Sequence, residues 1–264
     1  MEMPMLFAGK VALVTGAGSG IGKATALAFA RHGASVGVLS HTAEEVAEVA
    51  KEIRALGGSA LALAADVTEE APMRAAVEQL AGAFGGLDIV VTNAGINGVW
   101  APIDDLTPEE WDATIAVNLR GTYLTLHLAV PHLKKAGEGA IVVVSSINGT
   151  RTFTTPGATA YSATKAAQVA MVQQLALELG KAGIRVNAVC PGAIETSIDE
   201  NTDQRGAGEA GIPVLWPEGD IPVTQGKPGT ADEVADAILF LSSSKARHIT
   251  GTPLWIDGGQ GLLR

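Results

Sequence analysis

The feature that most constrains this chain is an alternation, sustained almost from end to end, of short apolar runs with longer amphipathic ones. Lys10–Thr15 (KVALVT) reads as a buried strand and Lys23–His32 as a helix stopped by Gly33; Ser35–Leu39 is the next strand, and Ala43–Leu56 a helix stopped by Gly57 and Gly58. The rhythm continues through Ser59–Ala64, Glu69–Phe84, Leu87–Thr92, a long helix from Pro108 to Ala136, Ala140–Ser145, Tyr161–Gly180, Arg185–Cys190, Thr230–Leu241 and Thr252–Ile256. Thr107-Pro108-Glu109-Glu110 fixes the start of the long helix, because it combines an N-cap hydroxyl, Pro at the first helical position and Glu three residues after the cap. Buried strands separated by helices require crossover connections. The expected fold is therefore α/β, a Rossmann-type doubly wound parallel sheet of about seven strands with helices on both faces.

The size of the chain, 264 residues, suits one core, so residues 1–264 are read as a single dinucleotide-binding and catalytic domain. One segment breaks the rhythm. Residues 195–228, rich in Gly, Pro and charge, are too long for a plain connection and are read as a substrate-binding loop insertion.

Composition excludes several classes. One Cys permits neither a disulfide scaffold nor a Cys-based zinc site, and the five His show no metal-ligand spacing, so no metal is expected. A net charge of −10 provides no global field for phosphate backbones or anionic lipid, so neither nucleic acid nor membrane is an expected partner. The N-terminal MEMPMLFAGK lacks a basic region followed by an apolar core, and no later run is long enough to span a bilayer; a cytoplasmic protein is expected. Cys190, beside Pro191 at a strand end, reads as a packed small residue.

Ligands of doubly wound sheets bind at the carboxyl ends of the strands, so chemistry is sought in the loops that follow them. After the first strand comes Thr15-Gly16-Ala17-Gly18-Ser19-Gly20-Ile21-Gly22, a sequence that turns sharply, admits close backbone approach and presents a helix N-terminus to an anion. At the end of the second strand an Asp or Glu would accept from a ribose 2′-OH and repel a 2′-phosphate. Here stand Ser40, His41 and Thr42, which can donate to a phosphate, so NADP(H) is expected to be favoured over NAD(H). Tyr161 and Lys165 lie four apart at a helix start and share a face. An adjacent ammonium lowers a phenol's pKa by roughly 1–3 units, which makes the pair a proton donor and acceptor.

These stretches occur in order with Asp66-Val67 after the third strand, Asn93-Ala94-Gly95 after the fourth, Asn118 in the long helix, Ser145-Ser146 ending the fifth, Pro191-Gly192 after the sixth and Asp257-Gly258-Gly259 near the C-terminus. Together they resemble the compact members of the short-chain dehydrogenase/reductase family over nearly the whole chain. The resemblance implies an NAD(P)(H)-dependent oxidoreductase that interconverts a secondary alcohol and a ketone. It implies Tyr161 as general acid/base, Lys165 holding the nicotinamide ribose and lowering the Tyr161 pKa, Ser146 bonding the substrate oxygen, and Asn118 positioning a water that links Lys165 to solvent. Gly16, Ser19, Gly20 and Ile21 would meet the pyrophosphate side, Asp66 and Val67 the adenine, and Ala94 and Gly95 the cofactor's flank, with Asn93 bracing the sheet; Pro191, Gly192, Ile194 and Thr196 would meet the nicotinamide end. The spacing from Ser146 to Tyr161 is two residues longer than usual in the family, and the usual spacing would select Asn148; Ser146 is preferred because it ends the strand in the pattern Ser-Ser-x-x-Gly.

The alternative is a catalytically silent dinucleotide-sensing regulator on the same fold. Its expectation differs, since such a protein has no need of Asn118, Ser146, Tyr161 and Lys165 together. A nucleotide-sugar epimerase is disfavoured by the lack of room for a large C-terminal substrate domain. The substrate is a small carbonyl compound or alcohol: 3-oxoacyl thioesters, sugars or polyols, and cyclic or aromatic ketones all fit this reading. Ile147–Thr155 and Gly192–Ile194 are the expected pocket walls, and Trp100 and Trp216 are either walls or cover. Family members of this size imply a homotetramer.

Overall fold

A computed structural model of the chain describes residues 5–196, 202–206 and 221–263. The chain runs β1 (Val11–Thr15), α1 (Gly20–Arg31), β2 (Ser35–Ser40), α2 (Ala43–Ala55), β3 (Ser59–Ala64), α3 (Glu70–Phe84), β4 (Ile89–Thr92), β5 (Val99–Trp100) and α4 (Pro108–Ile115). It continues with α5 (Gly121–Ala136), β6 (Gly139–Val144), α6 (Thr159–Leu179), β7 (Ile184–Pro191), β8 (Asp203–Gln204), α7 (Ala231–Ser242) and β9 (Pro253–Ile256).

Seven strands form one parallel sheet in the order β3-β2-β1-β4-β6-β7-β9. β1, β2, β4 and β6 are buried along nearly all their length, as strands covered on both faces must be. Two apolar clusters sandwich the sheet. One joins Leu13, Val90 and Ile141 to α3, α5 and α6, and the other joins Val14, Val36 and Val91 to α1, α2 and α7. Strand order reverses direction between β1 and β4, so the loops leaving these two strands diverge and open a crevice at the carboxyl edge.

Three features go beyond the sequence pattern. The long helix expected from Pro108 to Ala136 is divided by a π-helical turn at Ala116–Arg120, with Asn118 at its centre. Such wide turns detach a carbonyl from the regular ladder and collect at functional sites. Here the Asn118 carbonyl accepts instead from Gln168 Nε2 at 2.8 Å and Thr122 Oγ1 at 2.7 Å. A second, two-stranded sheet pairs β5 with β8, and Arg205 beside it bonds Asp105 and Glu110 of the α4 start. Finally, the 195–228 excursion is pinched at its base by a parallel bridge between Ile194 and Gly229, with Glu195 N–H donating to the Gly229 carbonyl and Gly229 N–H to the Ala193 carbonyl. Much of that excursion, including Trp216, lies outside the described residues. No helix among the described residues is long and apolar enough to cross a membrane.

Candidate active site

The crevice between β1 and β4 is held open by a cross-link at its floor. Thr15 Oγ1 accepts from the Asn93 and Ala94 N–H groups at 3.0 and 3.1 Å, and Asn93 Nδ2 donates to the carbonyls of Thr15 and Gly16 at 3.1 Å each. Asn93 thereby fastens β4 to the start of the glycine loop. The loop itself leaves no room for side chains: Gly16 has φ +63° and a Cβ there would lie 2.8 Å from Ala94 Cα, while one on Gly22 would meet Asn93 Nδ2 at 2.5 Å. Helix α1 begins behind this loop with Ser19 as its N-cap and no side-chain cap bond, so the helix end faces the crevice with its first amides uncapped by that side chain. This is a cradle shaped for a phosphate group.

Two adjoining cavities share Ile21, Asn93, Gly95 and Thr196. The outer, of about 490 Å³, is lined by Gly16, Ser19, Gly20, Ser40, His41, Asp66, Val67 and Ala94. The inner, of about 300 Å³, is lined by Ser146, Tyr161, Lys165, Pro191, Gly192 and Ile194. Sequence reasoning therefore gathered residues that the fold does bring together, with two exceptions: Thr42 is the N-cap of α2 and stands outside the lining, and Asn118 is fully buried behind it. Asp66 lines the outer cavity, yet one of its oxygens already accepts from Thr68 N and Oγ1 at 2.8 Å.

At the inner end Lys165 is buried, with 4% exposure, and its Nζ donates to the Val144 carbonyl at 3.0 Å. Desolvation by burial pushes its pKa down to about 8. Its ammonium lies 5.4 Å from the Tyr161 ring centre. Gly95 separates Lys165 from Asn118, since a Cβ there would be 3.2 Å from Asn118 Oδ1 and 3.6 Å from Lys165 Nζ. Asn118 is fully buried: Oδ1 accepts from Ile96 N–H, and Nδ2 donates to the Ile96 carbonyl and Thr164 Oγ1. Ser145 Oγ donates to the Lys165 carbonyl at 2.8 Å, tying the β6 end to α6. Ser146 Oγ accepts from Asn148 N–H at 3.1 Å, which leaves its own proton to be donated, whereas the Asn148 carbonyl oxygen is occupied by Thr155 Oγ1 at 3.0 Å. Burial pushes the Cys190 thiol up to about 11, so it is an unionised packing residue at neutral pH.

Sequence reasoning missed Glu45, Gln168 and Gln260. Glu45 sits in the first turn of α2 and leans over the glycine loop, where a Cβ on Gly18 would collide with its carboxylate. Gln168, one helical turn beyond Lys165, was legible only through its shared face. Gln260 lies in the C-terminal segment and meets the inner cavity through tertiary packing, which leaves no local signal.

A glycine cradle at the switch point of a doubly wound sheet, continuous with a cluster of buried Ser146 and Lys165 and half-buried Tyr161, defines a dinucleotide-dependent oxidoreductase. Residues 16–260 match the family model described as Enoyl-(Acyl carrier protein) reductase. The crystal structure of a 3-ketoacyl-ACP reductase from Sinorhizobium meliloti 1021 is 69% identical, with TM-score 0.93, covering 96% of this chain and 100% of that one. The 3-oxoacyl-[acyl-carrier-protein] reductase of Thermotoga maritima is 39% identical over 255 residues, 97% of this chain and 99% of its own. A Brucella melitensis 3-ketoacyl-(acyl-carrier-protein) reductase, solved with NADH, is 38% identical with TM-score 0.86 over 97% of this chain and 99% of that one. The chain belongs to the short-chain dehydrogenase/reductase family, NAD(P)(H)-dependent oxidoreductases of alcohol and ketone groups.

The expected preference for NADP(H), drawn from Ser40, His41 and Thr42, is corrected by these relatives. The Brucella enzyme holds NADH, and two further solved relatives, 33% and 32% identical, hold NAD and NADH. The physical reason lies in the outer cavity. The acid absent from the end of β2 is supplied by Glu45 from α2, and no Lys or Arg is found among the described residues that line this cavity. A carboxylate there accepts from hydroxyls and repels a second phosphate.

Proposed function

We propose that this chain is a single-unit NAD(H)-dependent dehydrogenase/reductase interconverting a secondary alcohol and a ketone, with Tyr161 as general acid/base. The observation that carries the reading is the continuity of the two cavities, which sets Tyr161, Lys165 and Ser146 at the end of a cleft whose other end is the glycine cradle. The glycine loop, packed at Gly16 and Gly22 against Asn93 and Ala94 too closely for a Cβ, fits a pyrophosphate, which Ser19, Gly20 and Ile21 at the α1 N-terminus would hold. From the linings of the two cavities, Glu45, Ser40 and His41 would face the adenosine ribose, Asp66 and Val67 the adenine, and Gly192, Ile194 and Thr196 the nicotinamide end. When bound, the nicotinamide ring gives or takes the hydride. Ser146 donates its proton to the substrate oxygen and orients it; Tyr161 gives that oxygen a proton on reduction or removes one on oxidation; Lys165 favours the phenolate by its charge and holds ribose hydroxyls. Asn118, anchored by Ile96 and Thr164, keeps the π-helical turn against Lys165 on the route by which protons are replaced.

Two measurements test the assignment. Comparison of kcat/KM for NADH and NADPH is expected to favour NADH, and Glu45→Gln is expected to shrink that preference about tenfold or more by removing the repelling charge. A wild-type preference for NADPH defeats this account of the cofactor. Separately, Ser146→Ala is expected to lower kcat about 100-fold, the scale of losing one donor to the reacting oxygen, with a smaller kcat loss for Asn148→Ala. The reverse order transfers the role to Asn148.

Assembly as a homotetramer is part of the same proposal. It is supported by large apolar residues left exposed on three helices: Tyr123 on α5, Leu177 on α6 and Phe240 on α7, at 54%, 83% and 43% exposure.

A further inference from the structure

The inner cavity carries a pattern that the redox chemistry does not use. Of the four side-chain amides that line it, Asn93 braces the glycine loop, and the other three each have one end fixed by the protein. Asn97 Nδ2 donates to Thr202 Oγ1 at 2.7 Å, Asn148 Oδ1 accepts from Thr155 Oγ1 at 3.0 Å, and Gln260 Oε1 accepts from Ala193 N–H at 2.8 Å. Among the described residues the opposite ends have no protein partner, which leaves one acceptor on Asn97 and one donor each on Asn148 and Gln260. An amide anchored at one end has lost its rotational freedom before a ligand arrives and presents a directed group to it.

The segment between Ser146 and Tyr161, two residues longer than the family's usual spacing, adds hydroxyls to the same wall. Thr152, Thr154 and Thr155 line the cavity beside Ile147, while the segment's largest apolar residue, Phe153, is 75% exposed and takes no part in the lining. The segment's one cation is also held elsewhere: Arg151 lies 4.1 Å from the Trp255 ring centre and 3.6 Å from Asp257. Apart from Lys165, no Lys or Arg lines the cavity among the described residues, so this lining offers an anionic substrate no further charge partner. A greasy acyl chain would strand the free amide groups without partners, at a cost of about 1–3 kcal/mol each. Hydroxyls that both donate and accept satisfy them.

We propose that the substrate is a neutral polyhydroxylated molecule, a sugar or polyol, whose hydroxyls flanking the reacting carbon are held by Asn97, Asn148 and Gln260. The inference rests on the redox reading above. In the oxidative direction the carbinol C–H leaves as hydride to NAD, the hydroxyl proton goes to Tyr161, and the carbon becomes the carbonyl.

The test is steady-state oxidation with NAD of glucitol, ribitol, myo-inositol and glucose, set against cyclohexanol, isopropanol and a hydroxybutyryl thioester. The best polyhydroxylated substrate is expected to exceed every other by at least about 100-fold in kcat/KM, because a site built to bond hydroxyls rejects compounds lacking them. Gln260→Glu keeps the acceptor for Ala193 N–H and replaces the donor; it and Asn148→Ala are each expected to narrow the ratio of polyol to cyclohexanol by about tenfold or more, chiefly through KM, with the unfolding temperature followed in parallel. Turnover of cyclohexanol or the thioester as fast as the best polyol, or an unchanged ratio in both variants, overturns the substrate inference and leaves the redox reading standing. Binding of NADH with no turnover of any alcohol overturns both.

Discussion

Tyr161→Phe is expected to lower kcat by about 1000-fold while leaving NADH binding within about a factor of three. The reasoning starts from geometry. Tyr161 and Lys165 share one face of α6, and that helix is tied to the end of β6 by the bond from Ser145 to the Lys165 carbonyl, so the phenol's position is set by the sheet. The substitution keeps the ring and removes only the oxygen that carries the proton. General acid/base groups contribute about 100- to 10,000-fold, and water in a half-enclosed cavity replaces such a group poorly. Single-turnover absorbance of the nicotinamide measures the chemical step, and quenching of the four Trp by NADH measures binding. A Phe variant with more than about a tenth of wild-type kcat removes Tyr161 from the mechanism. A variant that cannot bind NADH points to a structural role.

Lys165→Met is expected to abolish most activity and, without cofactor at neutral pH, to raise the unfolding temperature. These opposite signs have one cause. Lys165 is buried with a carbonyl partner and, among the described residues, no carboxylate in reach, so burial holds its pKa at about 8 against 10.5 for the free side chain. Between these values the unfolded chain binds the extra proton, and wild-type stability rises with pH across that window. Below about pH 8 the folded protein bears the whole penalty of a buried ammonium, on the order of 3 kcal/mol. Methionine removes this penalty but gives up the bond to Val144, about 1 kcal/mol, so a gain of several degrees in Tm is expected at pH 7. The gain should fade as pH climbs from about 8 toward 10.5. A Tm lowered at pH 7 contradicts the claim that the ammonium is held at a cost. That cost is the mark of a group retained for chemistry.

What the sequence made legible follows from local rules. Strand and helix alternation, the β1–α1 glycine loop and the Tyr161–Lys165 pair are written in contiguous residues, and a sheet of this kind can close only with their loops on one edge. Where several residues act across the fold, legibility fails. Ser40 ends β2 as expected, but the acid that governs the neighbouring charge belongs to Glu45 on the following helix, so reading the strand end alone predicted the wrong dinucleotide. The π-helical turn at Asn118 was hidden because its residues, AVNLR, carry ordinary helical preferences; Gln168, Thr122 and Thr164 supply the partners that stabilise it. Gln260 came into view only when the C-terminal segment folded back against Gly192 and Ala193.

The bridge between Ile194 and Gly229 has a consequence for how enzymes of this architecture diversify. Because the neck fastens both ends of the 195–228 excursion, a change of length within it costs only about 0.6 kcal/mol for each doubling, provided that the pairing of β5 with β8 and the bonds of Arg205 to Asp105 and Glu110 are kept. Ser146, Tyr161 and Lys165 lie outside it and keep their spacing whatever happens beyond the neck. Change beyond the neck is thus insulated from the chemistry, and the amides of Asn148 and Gln260 stay with the inherited frame.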